Sequence, residues 1–151
     1  TVSIVGQNYG AKQYQRVLET YKKGIKIGVI ILSLLGLIIF LTAEIAMNLF
    51  TDNANVKQYG SDYLKISALM FPAFPFFFIG NATFQGLKRA IIVMYMAIMR
   101  FVLIPFLMIS IIFYQIGENY NLIFFSLAAM HWIIGLLYFY YCNMKYKRIL
   151  N

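Results

Sequence analysis

IGVIILSLLGLIIFLTA, residues 27–43, is seventeen side chains without a charge, and the apolar character resumes after Glu44 as far as Phe50. A helix rises about 1.5 Å per residue and the hydrocarbon core of a bilayer is about 30 Å thick, so this run reads as a membrane-spanning helix. Working outward, three more runs share its character. Residues 66–87 hold no charge, 90–114 are interrupted only by Arg100, and 121–143 are rich in aromatics and contain His131. The reading is all-α: a polytopic bundle of four spans at about 27–50, 66–87, 90–114 and 121–143. Composition supports it, because 62% of the 151 residues are hydrophobic and 12% charged, against roughly 25% charged in soluble domains. A soluble globular domain and a disordered chain are both excluded.

Flanking charge sets the orientation. A net charge of +8 suggests nucleic acid in a soluble chain, but here the basic residues cluster between the apolar runs, which makes them a topology signal. Lys12, Arg16, Lys22, Lys23 and Lys26 precede the first span, Lys88 and Arg89 separate the second from the third, and Lys145, Lys147 and Arg148 follow the fourth. The opposite side carries Lys57 and Lys65. Both ends are therefore expected in the cytoplasm, in a multi-pass protein of the cell membrane. Residues 1–26 read as the end of a preceding helix followed by a basic amphipathic segment. In it, Tyr14, Val17, Leu18 and Tyr21 give either a helix along the inner interface or a basic helical loop. Residues 144–151 read as a cytoplasmic tail, 51–62 and 115–120 as outer connectors, and Tyr138, Tyr140, Tyr141 and Tyr146 as an aromatic belt. The start at Thr1, inside an apolar stretch without a basic leader, reads as a piece of a longer membrane protein rather than a signal peptide.

Catalytic chemistry has little to work with. One cysteine, Cys142, and one histidine, His131, offer neither a disulfide nor a metal-ligand spacing. No nucleophile–base pair is evident, and the glycines at 6 and 10 lack the lysine and strand context of a phosphate loop. No enzyme activity, cofactor or metal is expected.

The polar residues inside the spans are the candidates. Arg100 lies about ten residues into the third span, where even the lowest costs run to roughly 2.5–3.5 kcal/mol, so it must face a partner, a cavity or water. It is either a cleft residue or half of an interhelical pair. Asn81 and Gln85, spaced i, i+4, present two amides either to substrate or to a neighbouring helix. Glu44, the acidic residue within a span, and His131, whose side-chain type has an unperturbed pKa near neutrality, are the candidates for ion coupling; outward snorkelling and interhelical hydrogen bonding are their structural alternatives. Pro72 and Pro75 bend or break the second span near its outer third, as a hinge or as a static kink.

The opening Ser3-Ile4-Val5-Gly6-Gln7-Asn8-Tyr9-Gly10-Ala11-Lys12, with Gln15-Arg16, resembles the glutamine, glycine–alanine and arginine signature of the multidrug and toxic compound extrusion (MATE) transporters. In that family it closes the second helix of each six-helix lobe. Further elements follow in family order: Leu49-Phe50-Thr51-Asp52, Tyr63-Leu64-Lys65-Ile66, and Thr83-Phe84-Gln85-Gly86-Leu87. Met99-Arg100-Phe101-Val102-Leu103-Ile104-Pro105 looks like the R-x-x-x-x-P of the DinF-like branch.

The resemblance implies helices nine to twelve, part of the C-terminal lobe of a twelve-span carrier, with the missing N-terminal lobe and the lipid bilayer as partners. It also implies export of drugs or toxins, cationic or amphipathic, by antiport with protons or sodium through alternating access. Sodium-coupled NorM-like members carry an acidic residue soon after the helix-ten glycine. Here Gly86-Leu87 is followed by Lys88-Arg89, so a carboxylate cation site is missing at that turn. The alternatives are a polysaccharide or lipid-linked precursor flippase of the same superfamily, or a non-transporting four-helix interaction protein.

Overall fold

The computed structural model of the chain describes residues 1–103, 105–106, 109–110 and 120–150, and every regular element among them is helical. We number them α1 (Val2–Gly10), α2 (Tyr14–Phe50), α3 (Ala54–Ala68), α4 (Phe74–Gly86), α5 (Ala90–Ile98) and α6 (Tyr120–Leu150). A 3₁₀ turn, Phe71–Ala73, joins α3 to α4, and a π-helical turn, Met99–Leu103, extends α5. Three segments are long and apolar enough to cross a membrane: Tyr14–Phe50, Ala54–Gly86 and Asn121–Ile149. A fourth, Ala90–Val102, is apolar and shorter. Residues 104, 107–108 and 111–119, which complete the expected third span and its outer connector, lie outside the described residues.

α2 packs on α3 and α4, α1 and α6 pack on α4, and α3 also touches α6. Between lipid-soluble helices there is little hydrophobic drive to associate, so close approach and hydrogen bonds must hold the bundle. Glycines on α2 supply the approach. A Cβ at Gly28 would lie 2.9 Å from Pro75, and one at Gly36 would lie 2.8 Å from the carbonyl oxygen of Ala68. The outer face of α2 stays bare, with Leu41 68% and Ile45 63% exposed while Ala43 between them is 1% exposed. α2 is thus packed on one side and bare and apolar on the other.

The break between α3 and α4 follows from its prolines. Pro72 has no N–H to return to the Ala68 carbonyl, and that oxygen is the one Gly36 lies against. The Ala73 N–H bonds Met70 at 2.9 Å, which leaves the Leu69 carbonyl without its helical donor. The Trp132 indole N–H of α6 donates to it at 2.9 Å. Backbone groups freed inside a membrane are satisfied by neighbouring helices, as here.

α1 and α4 end in the same way. Lys12 and Lys88 take φ of 57° and 59°, left-handed values that glycine usually fills. Lys12 N–H bonds Tyr9 and Gln13 N–H bonds Asn8; Lys88 N–H bonds Gln85 and Arg89 N–H bonds Phe84. Both are Schellman turns with a lysine at the left-handed position. The end of α4 lies against the N-terminal half of α1, since a Cβ on Gly86 would lie 2.7 Å from Val5.

Several expected boundaries move. The basic segment does not leave the bundle as an interfacial helix, because α2 continues unbroken for 37 residues, about 55 Å. Its Val17 and Tyr21 are fully buried. The connector expected at 51–62 shrinks to 51–53, because the Asn53 side chain accepts from Asn55 N–H at 3.0 Å and Val56 N–H at 3.3 Å and starts α3. The tail expected at 144–151 is helical as far as Leu150, its lysines and arginine complementing the helix C-terminus. Tyr138 and Tyr146 are core residues, at 1% and 0% exposure, whereas Tyr140 faces out.

Candidate transport site

The π-helical turn extends α5 and carries Arg100. Such turns insert a residue into the helical repeat and so re-aim the side chains around them. Here the guanidinium is half-buried against α4, its carbon 4.0 Å from the centroid of the Phe77 ring and 5.6 Å from that of Phe74. His131 of α6 approaches from the other side, with Arg100 Nη2 and His131 Nε2 3.5 Å apart. His131 Nδ1 lies 3.2 Å from the Leu127 carbonyl, a contact that requires the proton on Nδ1. Nε2 is then a bare acceptor facing the guanidinium. The imidazole also stands edge-on to Phe74, at 5.7 Å and 86°.

Arg100 and His131 line a partly open cavity of about 50 Å³ together with Phe77, Pro105, Leu127, Met130 and Ile134. The volume suits an ordered water or a small polar group. Among the described residues no carboxylate pairs with Arg100; the ion pairs are Glu19 with Lys23 and Glu44 with Lys65. Five guanidinium donors therefore face three aromatic rings, with Phe101 at 5.1 Å beside Phe77 and Phe74, and one nitrogen at 3.5 Å.

The structure separates the two amides on the second span. Asn81 accepts the Tyr138 hydroxyl at 2.5 Å and is committed to the α4–α6 interface, whereas Gln85 is exposed. Glu44 is exposed at 71% of its side chain and meets Lys65 of α3 at 2.5 Å, so it binds a specific partner across two helices. Pro72 and Pro75 lie at the α3–α4 break, away from Arg100 along the chain.

The MatE family profile matches residues 1–110, from α1 through the π-turn. The chain belongs to the MatE family. It is accordingly a multi-pass membrane protein of a transporter family. No curated protein matches it. Within this MatE chain, Arg100, Asn81, Gln85, Glu44 and both prolines fall inside the matched residues, while His131 and Tyr138 lie on α6 beyond them. The Arg100–His131 contact thus ties the matched part of the MatE chain to its last helix.

Sequence reading missed a second assembly. Tyr21 of α2 meets Tyr146 of α6 edge-on at 4.8 Å, Tyr138 stacks on Phe77 at 5.7 Å, and Tyr146 donates to the Gly80 carbonyl at 2.9 Å. Cys142, fully buried, lies with them in the same cluster. The signal was present as Tyr138, Cys142 and Tyr146, spaced by four on one helical face, with Val17, Tyr21 and Ile25 in the same spacing opposite.

Proposed function

We propose that this chain is the C-terminal portion, helices nine to twelve, of a DinF-like twelve-span carrier that exports cationic or amphipathic compounds by antiport against protons or sodium. The observation that carries the reading is the family match over 110 of 151 residues. The DinF-like assignment rests on the Arg100 to Pro105 motif, and the C-terminal placement on the order of motifs that precede it. In this reading both chain ends are cytoplasmic, since Lys12 follows the end of α1, Lys88 and Arg89 follow the end of α4, and Lys147 and Arg148 lie in the last turn of α6. Substrate moves through the cleft between this lobe and the N-terminal one, with Arg100 and His131 on its wall and Gln85 as an outlying amide. A lipid-linked precursor flippase of the same superfamily is favoured by one observation, the guanidinium at mid-span with no carboxylate among the described residues.

The test is expression of the full-length carrier in a strain stripped of efflux pumps. We expect raised tolerance to ethidium, and dye efflux that collapses when an ionophore dissipates the coupling gradient. A protein that reaches the membrane and exports no dye under either gradient overturns the exporter reading.

A further inference from the structure

We propose that Arg100, held by Phe77 and His131 beside the α5–α6 cavity, is the binding site for an oxyanion on an amphipathic substrate. The substrate class this site takes is an amphipathic organic acid. The inference rests on the transporter reading and narrows it.

Three observations converge. The guanidinium sits on a π-turn, which aims it inward toward α4 and α6, and at mid-span depth such a charge demands a counter-charge or water. Its described partners leave most donors unused, and the cavity opens beside them. Planar donor forks of this kind match a carboxylate in bidentate fashion. The ring faces that would cradle an organic cation are already taken, since Arg100 lies 4.0 Å over Phe77 and 5.6 Å from Phe74. A second cation there would meet a like charge in a medium of low dielectric with no described carboxylate to offset it.

The cavity, about 50 Å³, has room for the oxyanion and not for the body that bears it. The apolar walls supplied by Leu127, Met130 and Ile134 would take the start of that body. His131 Nδ1 lies against the Leu127 carbonyl and its Nε2 faces Arg100 Nη2 at 3.5 Å, which sets the direction of the guanidinium while the remaining N–H groups reach the ligand. Arg100 is the binding residue and His131 a positioning residue.

The experiment uses the purified full-length carrier in nanodiscs with two fluorescent probes of one body and opposite charge: dansylglycine, and a dansyl amide ending in trimethylammonium. We expect dansylglycine to bind at least about tenfold more tightly. Arg100→Gln should abolish that preference, Arg100→Lys should keep its direction with weaker binding, and His131→Gln should lower affinity for dansylglycine alone. The wild-type comparison needs no variant to fold, and equal binding or a preference for the ammonium probe overturns the proposal. Loss of both probes equally in Arg100→Gln overturns it as well. Displacement of dansylglycine by decanoate assigns the oxyanion to free acids, and displacement by farnesyl pyrophosphate alone assigns it to lipid-linked precursors; both uphold an oxyanion site. A carrier that exports ethidium while ignoring Arg100 retains the exporter reading and loses this one.

Discussion

At the scale of single residues, Arg100 sets two energies against each other. Desolvating the guanidinium at mid-span costs roughly 2.5–3.5 kcal/mol at the least, while stacking over aromatic rings returns about 2 kcal/mol when the contact is dry. Phe77 and Phe74 therefore lower the cost without cancelling it. Arg100→Ala is expected to raise the thermal stability of the purified full-length carrier by about 1 kcal/mol, the difference between those two magnitudes. Drug-dependent growth should fall in the same variant, and Arg100→Lys should fall less because it keeps the charge without the planar fork. Lower stability with proportionate loss of export would make Arg100 a packing residue instead. The two amides give a matched comparison. Asn81→Ala strands a buried Tyr138 hydroxyl and should cost about 1–3 kcal/mol in thermal unfolding. The exposed Gln85 should tolerate alanine within about 0.5 kcal/mol. Gln85→Ala is expected to change tolerance to some compounds and not others, and a uniform effect that tracks protein abundance would remove it from the cleft.

At the scale of helices, the α2 to α3–α4 packing depends on the absence of a side chain at Gly36. Its Cβ would meet a backbone oxygen, which cannot rotate away as a side chain can. Gly36→Ala is therefore expected to destabilise the carrier by about 1–3 kcal/mol by the overpacking route, measured by thermal unfolding. The Schellman lysines predict the opposite sign. Lys88→Gly relieves a left-handed φ and should stabilise by about 1 kcal/mol, with unaltered stability showing that the turn is held by something other than its backbone. Helix extents were legible where apolar runs were long, as in α2 and α6. They were not legible where polar residues continue a helix past the membrane. Residues 54–62 hold few apolar side chains, Val56 and Tyr59 among them, and the clearer signal for the start of α3 was the Asn53 cap. The proline break was legible because Pro removes a donor whatever surrounds it. The carbonyls it frees find Gly36 and Trp132 in distant helices, and that pairing is tertiary information which no window of sequence holds.

At the scale of the whole chain, membrane crossing was legible in composition. The meeting of Arg100 with His131, thirty-one residues apart, was not, because neither helix's own pattern carries the position of the other. Sidedness is open to direct measurement. Single cysteines placed at residues 53–55 should react with an impermeant maleimide in sealed cells and one at Lys147 should not; reversed labelling would invert the topology. Cys142, fully buried among tyrosines, should contribute no background. The break in the second span carries one more consequence. Trp132 is the chain's single tryptophan, and its indole N–H is bound to the carbonyl that the break releases. Were α3 and α4 to straighten, Leu69 would regain a helical donor and the indole would lose its acceptor. In a carrier whose other tryptophans are replaced, ultraviolet emission from Trp132 would then shift in wavelength with each bend and release, giving a label-free optical gauge of the working cycle.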